Sequence, residues 1–389
     1  MINGANNQRG FEAFFEHAIK KMDPIVSNIL DRALSGRIIS SSEGAELFRA
    51  KGFELNALVF VADELRRRTV GDMVTYVVNR NINFTNVCFV KCGFCAFNRD
   101  LSDPEAYLLS VEKIVQKAHE AWKVGATEVC IQGGIHPSLE SDYYVEICRA
   151  IKKELPEIHI HAFSPMEIAH ASWKSEESVE ECLKRLKEAG LNSIPGTAAE
   201  ILNLDIRRKI CPNKISVETW VEVVKKAHRL AIPTSSTIMY GHIDSPEHWS
   251  NHLNLLREIQ SETHGFTELV PLSFVHPNAP IYREGSARAG ATGVEDIKMY
   301  AVSRLMLNQH IPNIQVSWVK LGRKFAQVCL NAGANDFGGT LMEENISKAA
   351  GANSSQYLSP EEIQRLIIDI GRTPAERTTT YNILRMFKG

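Results

Sequence analysis

Three of the eight cysteines fall within the segment Cys88-Phe89-Val90-Lys91-Cys92-Gly93-Phe94-Cys95, whereas Cys130, Cys148, Cys182, Cys211 and Cys329 are scattered singly. A lone thiol in an apolar setting such as Val129-Cys130-Ile131 behaves as a small buried hydrophobe. Three thiolates spaced C-x₃-C-x₂-C can each take one corner of a cubane [4Fe–4S] cluster, and with no fourth cysteine nearby one iron is left open. An open iron suits a cluster that coordinates and reduces a substrate, whereas an electron-transfer cluster normally takes four cysteines. A structural zinc site would need a second knuckle of ligands across a longer loop, and the sequence has none.

Residues this reactive need a scaffold that presents them together. From about residue 75, short β-branched runs alternate with amphipathic stretches, the pattern of βα units and a parallel sheet. The expected strands are 81–86, 128–133, 158–163, 191–194, 234–240, 267–275, 313–318 and a weak one near 334–337. The fold class is therefore α/β, a (β/α)₈ or partial TIM-type barrel. The thiol triplet follows the first strand, at the end of a barrel where chemistry is carried out. Residues 1–74 read as an N-terminal helical layer, 75–340 as the barrel, and 341–389 as a helical extension packing on it. Ser245-Pro246-Glu247 and Ser359-Pro360-Glu361-Glu362 carry helix-start signals, and Gly190 is placed to end the helix before it.

The composition narrows the partners. The formal net charge is −2, charged residues make up 23% and both signs are interleaved, so nothing points to nucleic acid or an anionic membrane. No apolar run is long enough to span a bilayer and no signal peptide is evident, so the expectation is a cytoplasmic protein acting on small molecules.

The triplet with an aromatic, Phe94, just before its third cysteine resembles the hallmark of the radical S-adenosylmethionine (SAM) superfamily. That resemblance implies a [4Fe–4S] cluster on Cys88, Cys92 and Cys95, with SAM on the open iron. It implies that Phe94, Ala96 and Phe97 lie along the adenine and that Gln132-Gly133-Gly134 receives the SAM amino group. Ser164, Glu200 and Arg207 would contact its ribose, ammonium and carboxylate, and an arginine fork suits a carboxylate.

The phrases NINFTNVCFVKCGFCAF, CIQGGIHP, HAFSPMEI, SIPGTAAEIL, STIMYGH, ELVPLSFVH, NIQVSWVKLG and AGANDFGGTLMEE resemble, more narrowly, the tyrosine-using half of FO synthase, which builds the deazaflavin core of coenzyme F420. This implies a transferase acting on L-tyrosine and 5-amino-6-(D-ribitylamino)uracil. It also implies a reductant such as ferredoxin or flavodoxin, and action alongside the other FO synthase half. Menaquinone-pathway radical SAM enzymes are similar but carry a PGGGAE-like stretch where this chain has Pro195-Gly196-Thr197-Ala198-Ala199-Glu200. An iron–sulfur redox protein without SAM chemistry is the alternative of another class. Within the resemblance, Tyr240, His242 and His276 are expected as catalytic groups, with one of the histidines on the tyrosine phenol. His136, Thr197, Asn335 and Asp336 are expected as substrate contacts.

Overall fold

A computed structural model describes residues 21–387; the first 20 residues of the expected N-terminal layer lie outside the described residues. Inside it, eight stretches of parallel extended chain close into a ring. β1 (Met73–Val77) and β2 (Asn79–Ile82) form one bent strand. β2 pairs with β3 (Glu128–Ile131), and β3 with β4 (His159–Ala162). Ser193 and Ile194 link β4 to β5 (Thr234–Tyr240), which pairs with β6 (Phe266–Ser273). Ile314 and Gln315 then link β6 to β7 (Asp336–Gly339), and Asp336 meets Thr75 of β1 to close the ring. Each expected strand falls on the ring, although the first begins at Met73. Val74, Tyr76 and Val78 are buried in the core there, which gives this polar-flanked segment its reason to extend.

Parallel neighbours require crossovers, and here helices supply them. Their starts are set locally. Ser164, Ser178 and Thr292 each accept the backbone N–H three residues on, while Glu167, Glu181 and Glu295 reach back to the capping residue. These reciprocal bonds satisfy donors that a helix start otherwise leaves unpaired. Gly190, at φ +108°, ends the helix Val179–Glu188 as its sequence position implies.

The helices Pro24–Leu34, Ser41–Arg49 and Phe53–Val70 form the expected N-terminal layer. It lies on the outer helices Pro246–Thr263 and Gly293–Leu307. Gly44 permits the approach, since a Cβ there would meet Ser250 Oγ at 2.3 Å and Met306 Sδ at 2.5 Å.

The expected helical extension is only partly helical. After Asn345–Ala350 and Pro360–Asp369, the chain forms β8 (Thr373–Arg377), parallel to β1, and β9 (Ile383–Met386), antiparallel to β8. Pro374 within β8 argues against a strand when read from sequence, yet Ala375 is fully buried. This hairpin brings a polar group to the amino end of the ring. Arg377 Nε donates to Asp336 at 2.5 Å, Thr379 to Glu128 at 2.6 Å and Tyr381 to Glu268 at 2.6 Å.

Candidate active site

The cysteine loop leaves β2 and is pinned from several sides. Cys88 N–H donates to Arg99 O at 3.1 Å, Phe89 N–H to Ile135 O at 3.1 Å and Gly93 N–H to Ile210 O at 2.8 Å. Ile281 N–H donates back to Gly93 O at 2.8 Å, and Cys95 N–H closes a turn on Cys92 O at 3.0 Å. Cys88, Cys92 and Cys95 thereby share the wall of one cavity of about 230 Å³ at the carboxyl ends of the strands. Burial pushes the Cys92 thiol pKa up, and the Lys214 ammonium pulls it back. Among the described residues no three histidine, cysteine or acidic side chains converge as ligands of a single ion. Three thiols along one wall can each supply a ligand to a separate iron of a polynuclear group. Of the other five cysteines, Cys148, Cys182, Cys211 and Cys329 are buried, and Cys130 borders a second cavity deeper in the ring.

Phe94, Ala96, Phe97, Gln132, Gly133, Gly134, Ser164, Thr197 and Glu200 all line the same cavity as the thiols. The two glycines serve close packing. A Cβ on Gly134 would meet Val87 O at 2.3 Å and Cys88 Cβ at 3.0 Å, and one on Gly133 would meet the Phe84 ring at 2.7 Å. Glu167, which sequence reading passed over, ties two strand ends together. Its carboxylate accepts from Ser164 N–H at 2.6 Å and from Gly133 N–H at 3.0 Å. Burial raises its pKa to about 7 against those bonds. Thr197 Oγ1 donates to Gln132 Oε1 at 2.7 Å.

Two lysines border this cavity, Lys320 toward the interior of the ring and Lys214 beside the cysteine loop; the second, Lys214, is the one paired with a site carboxylate. It pairs with Glu200, and its ammonium sits 5.2 Å from the centre of the Phe94 ring. Burial pulls its pKa down, but the Glu200 carboxylate outweighs this and holds the lysine charged. Arg207 is placed differently from the sequence expectation. Its guanidinium donates to Ala198 O at 3.1 Å, Ala199 O at 2.7 Å and Ile215 O at 2.5 Å. All of these acceptors are backbone carbonyls, and Arg207 does not border the cavity, so it holds the loop that carries Glu200.

Six further expected residues lie elsewhere. Tyr240 is fully buried and donates to Asp296 at 2.7 Å; burial and that carboxylate drive its pKa well above the ordinary value. His242 follows the fifth strand as expected, but its ring turns back on its own loop. Nδ1 accepts from Ile243 N–H at 2.8 Å, and Nε2 pairs with Met239 O at 3.2 Å. This fixes a neutral tautomer with both nitrogens occupied. His276 packs edge-on to Tyr282, 4.6 Å between centres, outside the cavity lining. His136 bonds Ser138 within its own turn. Asn335 accepts from Ile314 N–H at 2.9 Å and from Arg304 at 2.8 Å. Asp336 holds Thr75 and Arg377, each at 2.5 Å. Both sit where β7 begins, at the opposite end of the ring from the thiols, because that strand starts at Asp336 instead of ending there.

Residues 82–256 match the radical SAM superfamily model, and residues 263–388 match a model described as the CofH/MqnC C-terminal region. A curated protein of Methanothermobacter thermautotrophicus is 55% identical over 353 residues, 91% of this chain and 96% of that protein. One of Methanocaldococcus jannaschii is also 55% identical, over 89% of this chain and 97% of its own length. Both are named 5-amino-6-(D-ribitylamino)uracil–L-tyrosine 4-hydroxyphenyl transferase. The chain belongs to this radical SAM transferase family. Two solved structures have the same fold. The hydrogenase maturase HydG superposes with a TM-score of 0.73 at 17% identity, covering 98% of this chain and 81% of its own. Methylornithine synthase (PylB) gives 0.71 at 19%, covering 89% and 97%.

Enzymes of the radical SAM family use a [4Fe–4S] cluster and SAM, and the cavity fits both groups. Three thiols lie on one wall, and a buried ammonium–carboxylate pair, Lys214 and Glu200, faces in beside Phe94. A charged pair complements the zwitterionic amino-acid end of SAM, and Phe94, Ala96 and Phe97 offer an apolar edge for a flat base.

Proposed function

We propose that this enzyme transfers the 4-hydroxybenzyl fragment of L-tyrosine to C5 of 5-amino-6-(D-ribitylamino)uracil, breaking the tyrosine Cα–Cβ bond and releasing 2-iminoacetate, in the synthesis of FO and coenzyme F420. What carries the reading is the near full-length likeness to relatives of that name, supported by the shared cavity of the three thiols. In it, Cys88, Cys92 and Cys95 hold the cluster. The cluster, when bound, supplies the electron that converts SAM to the 5′-deoxyadenosyl radical that starts the reaction.

The chain's own groups bind and orient. Lys214 receives the SAM carboxylate and Glu200 its ammonium, while Phe94, Ala96 and Phe97 flank the adenine. Glu167 fixes the Gly133 backbone and the helix start at Ser164, so two walls of the cavity move as one. Gln132 and Thr197, bonded to each other, mark the passage to the deeper part of the ring. A ferredoxin or flavodoxin delivers the electron, the other half of FO synthase works on the product, and the setting is the cytoplasm.

The test is anaerobic incubation of the reconstituted protein with SAM, dithionite, tyrosine and the aminouracil, followed by mass spectrometry. Coupled product together with 5′-deoxyadenosine is the expected result. 5′-Deoxyadenosine formed without any tyrosine–pyrimidine adduct would refute the assignment while leaving the radical SAM chemistry intact.

A further inference from the structure

Below the thiol cavity, inside the ring, lies a second chamber of about 250 Å³. The two share Gln132, Thr197, Leu272, Lys320, Ile346 and Ser347 and so form one two-lobed space. The upper lobe is walled largely by apolar groups such as Val90, Ile135, Met166 and Phe274. The lower lobe is bordered by amides, hydroxyls, His161, the three carboxylates of Glu128, Glu268 and Glu344, and Arg377.

Several polar groups bordering the lower lobe have hydrogen-bonding capacity that no described residue uses, capacity that a bound ligand can take up. The Gln315 amide and the Ser317 hydroxyl make no side-chain hydrogen bond to any described residue. His161 bonds Ser193 through Nδ1 at 2.7 Å and leaves Nε2 without a protein partner. Glu268 takes Tyr381 on Oε2, with Arg377 3.6 Å from the same atom, and leaves Oε1 without a hydrogen bond. Glycines of β7 make room for this polar lining. A Cβ on Gly338 would meet Gln315 Nε2 at 3.0 Å, and one on Gly339 would meet Asn79 Oδ1 at 2.1 Å.

Each charge bordering this lobe has partners of its own: Arg377 lies between Asp336 and Glu268 at the floor, Glu128 accepts from Asn79 and Thr379, and Glu344 accepts from Asn81 and the Ser347 N–H. What is left over is a mixture of donors and acceptors. A hydroxyl both donates and accepts, so a chain of hydroxyls complements such a lining. An aromatic ring or a zwitterion does not. The remaining ammonium, Lys320, stands at the neck with Ser347 Oγ as its hydrogen-bond partner at 2.9 Å, within reach of a group held between the lobes.

We propose that the lower lobe is a subsite for a neutral polyhydroxylated chain, the ribityl arm of the aminouracil, which leaves the pyrimidine ring at the neck beside Lys320 and the tyrosine above it. This rests on the transferase reading. It assigns Gln315 and Ser317 to recognition of the arm, a role separate from the cluster and SAM.

The experiment compares 5-amino-6-(D-ribitylamino)uracil with 5-amino-6-(methylamino)uracil, which lacks the polyol. Affinities are measured by anaerobic calorimetry on SAM-loaded holoenzyme, with iron content and SAM affinity as folding controls. The unaltered enzyme should prefer the ribityl compound roughly 100-fold, and Gln315→Leu should remove about tenfold of that preference, the equivalent of one hydrogen bond. Ser317→Ala, the smaller change, should act in the same direction. Affinity for the truncated compound should hold in both variants. Equal losses for the two pyrimidines, or an unchanged preference in both variants, would overturn the subsite while the transferase assignment stands. An enzyme that binds neither pyrimidine would overturn both.

Discussion

Arg207 separates two accounts of the same residue. As a fork for the SAM carboxylate, its loss should weaken SAM binding and leave the fold alone; as the clamp seen here, it should do the reverse. The guanidinium donates three charge-assisted bonds of 2.5–3.1 Å to carbonyls on both sides of its short helix, and its residue is 3% exposed, so water cannot readily take its place. Truncation to alanine strands those carbonyls. At 1–3 kcal/mol for each unpaired buried group, and allowing for relaxation, the loss is about 4 kcal/mol. Unfolding entropy of about 2.1 cal/mol/K per residue gives roughly 0.8 kcal/mol/K for 389 residues, so the melting temperature should fall by about 5 °C. Scanning calorimetry on the anaerobic protein, with a SAM titration at a temperature where both proteins are folded, reads the two effects apart. Arg207→Ala is expected to melt early and, below its transition, to bind SAM within about threefold of the parent. Lys214→Gln should instead lose SAM affinity by tenfold or more, as expected for a charged partner worth about 1.5–3 kcal/mol. An Arg207→Ala protein that melts normally but fails to bind SAM would refute the clamp.

Alanine at Cys88, Cys92 or Cys95 should abolish cluster absorbance and SAM cleavage, whereas serine or alanine at any one of the other five should leave iron content near four per chain, read by iron analysis after reconstitution. Gly134→Ala should impair cluster assembly with every thiol present, because its Cβ would drive into Val87 O and Cys88; full iron loading of that variant would contradict the packing argument. His242→Gln should lower SAM cleavage and coupled product together, through the loop it braces; a selective loss of product near 100-fold, the signature of a general base, would restore the histidine to the chemistry. Burial raises the Glu167 pKa from 4.5 to about 7, so the neutral form is favoured in the fold, and its contribution to stability is full below the unfolded pKa and lost as pH rises through about 7. Melting temperatures taken across that window should decline less in Glu167→Gln than in the parent; an unchanged decline would assign it to Glu268, also raised to about 7.

The ring was legible because its strands are short β-branched runs set between amphipathic helices, and because Ser245 and Ser359 announce helix starts through local bonds. The thiols were legible because their spacing is itself the chemistry. Position within the ring was harder to read. Tyr240 ends a strand whose end was correctly located, but Ser235, Thr237 and Met239 of that strand face the cavities, so alternation puts Tyr240 on the other face; beyond it, Gly241 at φ +95° turns the chain so that His242 folds back on its own loop. Asn335 and Asp336 were assigned to the wrong end of a four-residue strand. Lys214 sits in Cys211-Pro212-Asn213-Lys214, a stretch with no periodicity, and reaches the site through a fold-back held to the cysteine loop by the Gly93–Ile210 and Asn213–Val90 bonds. The β8–β9 hairpin was missed because its strand residues, Thr373-Pro374-Ala375-Glu376-Arg377, draw their stability from pairing with β1, three hundred residues earlier.

That hairpin bears on the order in which the molecule assembles during synthesis. Glu128, Glu268 and Asp336 are all made before Arg377, Thr379 and Tyr381, the residues that later partner them. Until those arrive, three carboxylates share the floor of an incomplete ring, and like charges in a partly dry interior resist being brought together. The nascent barrel should therefore stay open and hydrated at its amino end while its other strands are already paired, and close only when the arginine is threaded in. A chain stopped before Thr373 is expected to show this directly, as strong pH dependence of compaction in small-angle scattering, collapsing as the carboxylates take up protons; pH-independent compaction of the truncated chain would show that the floor closes without its cation.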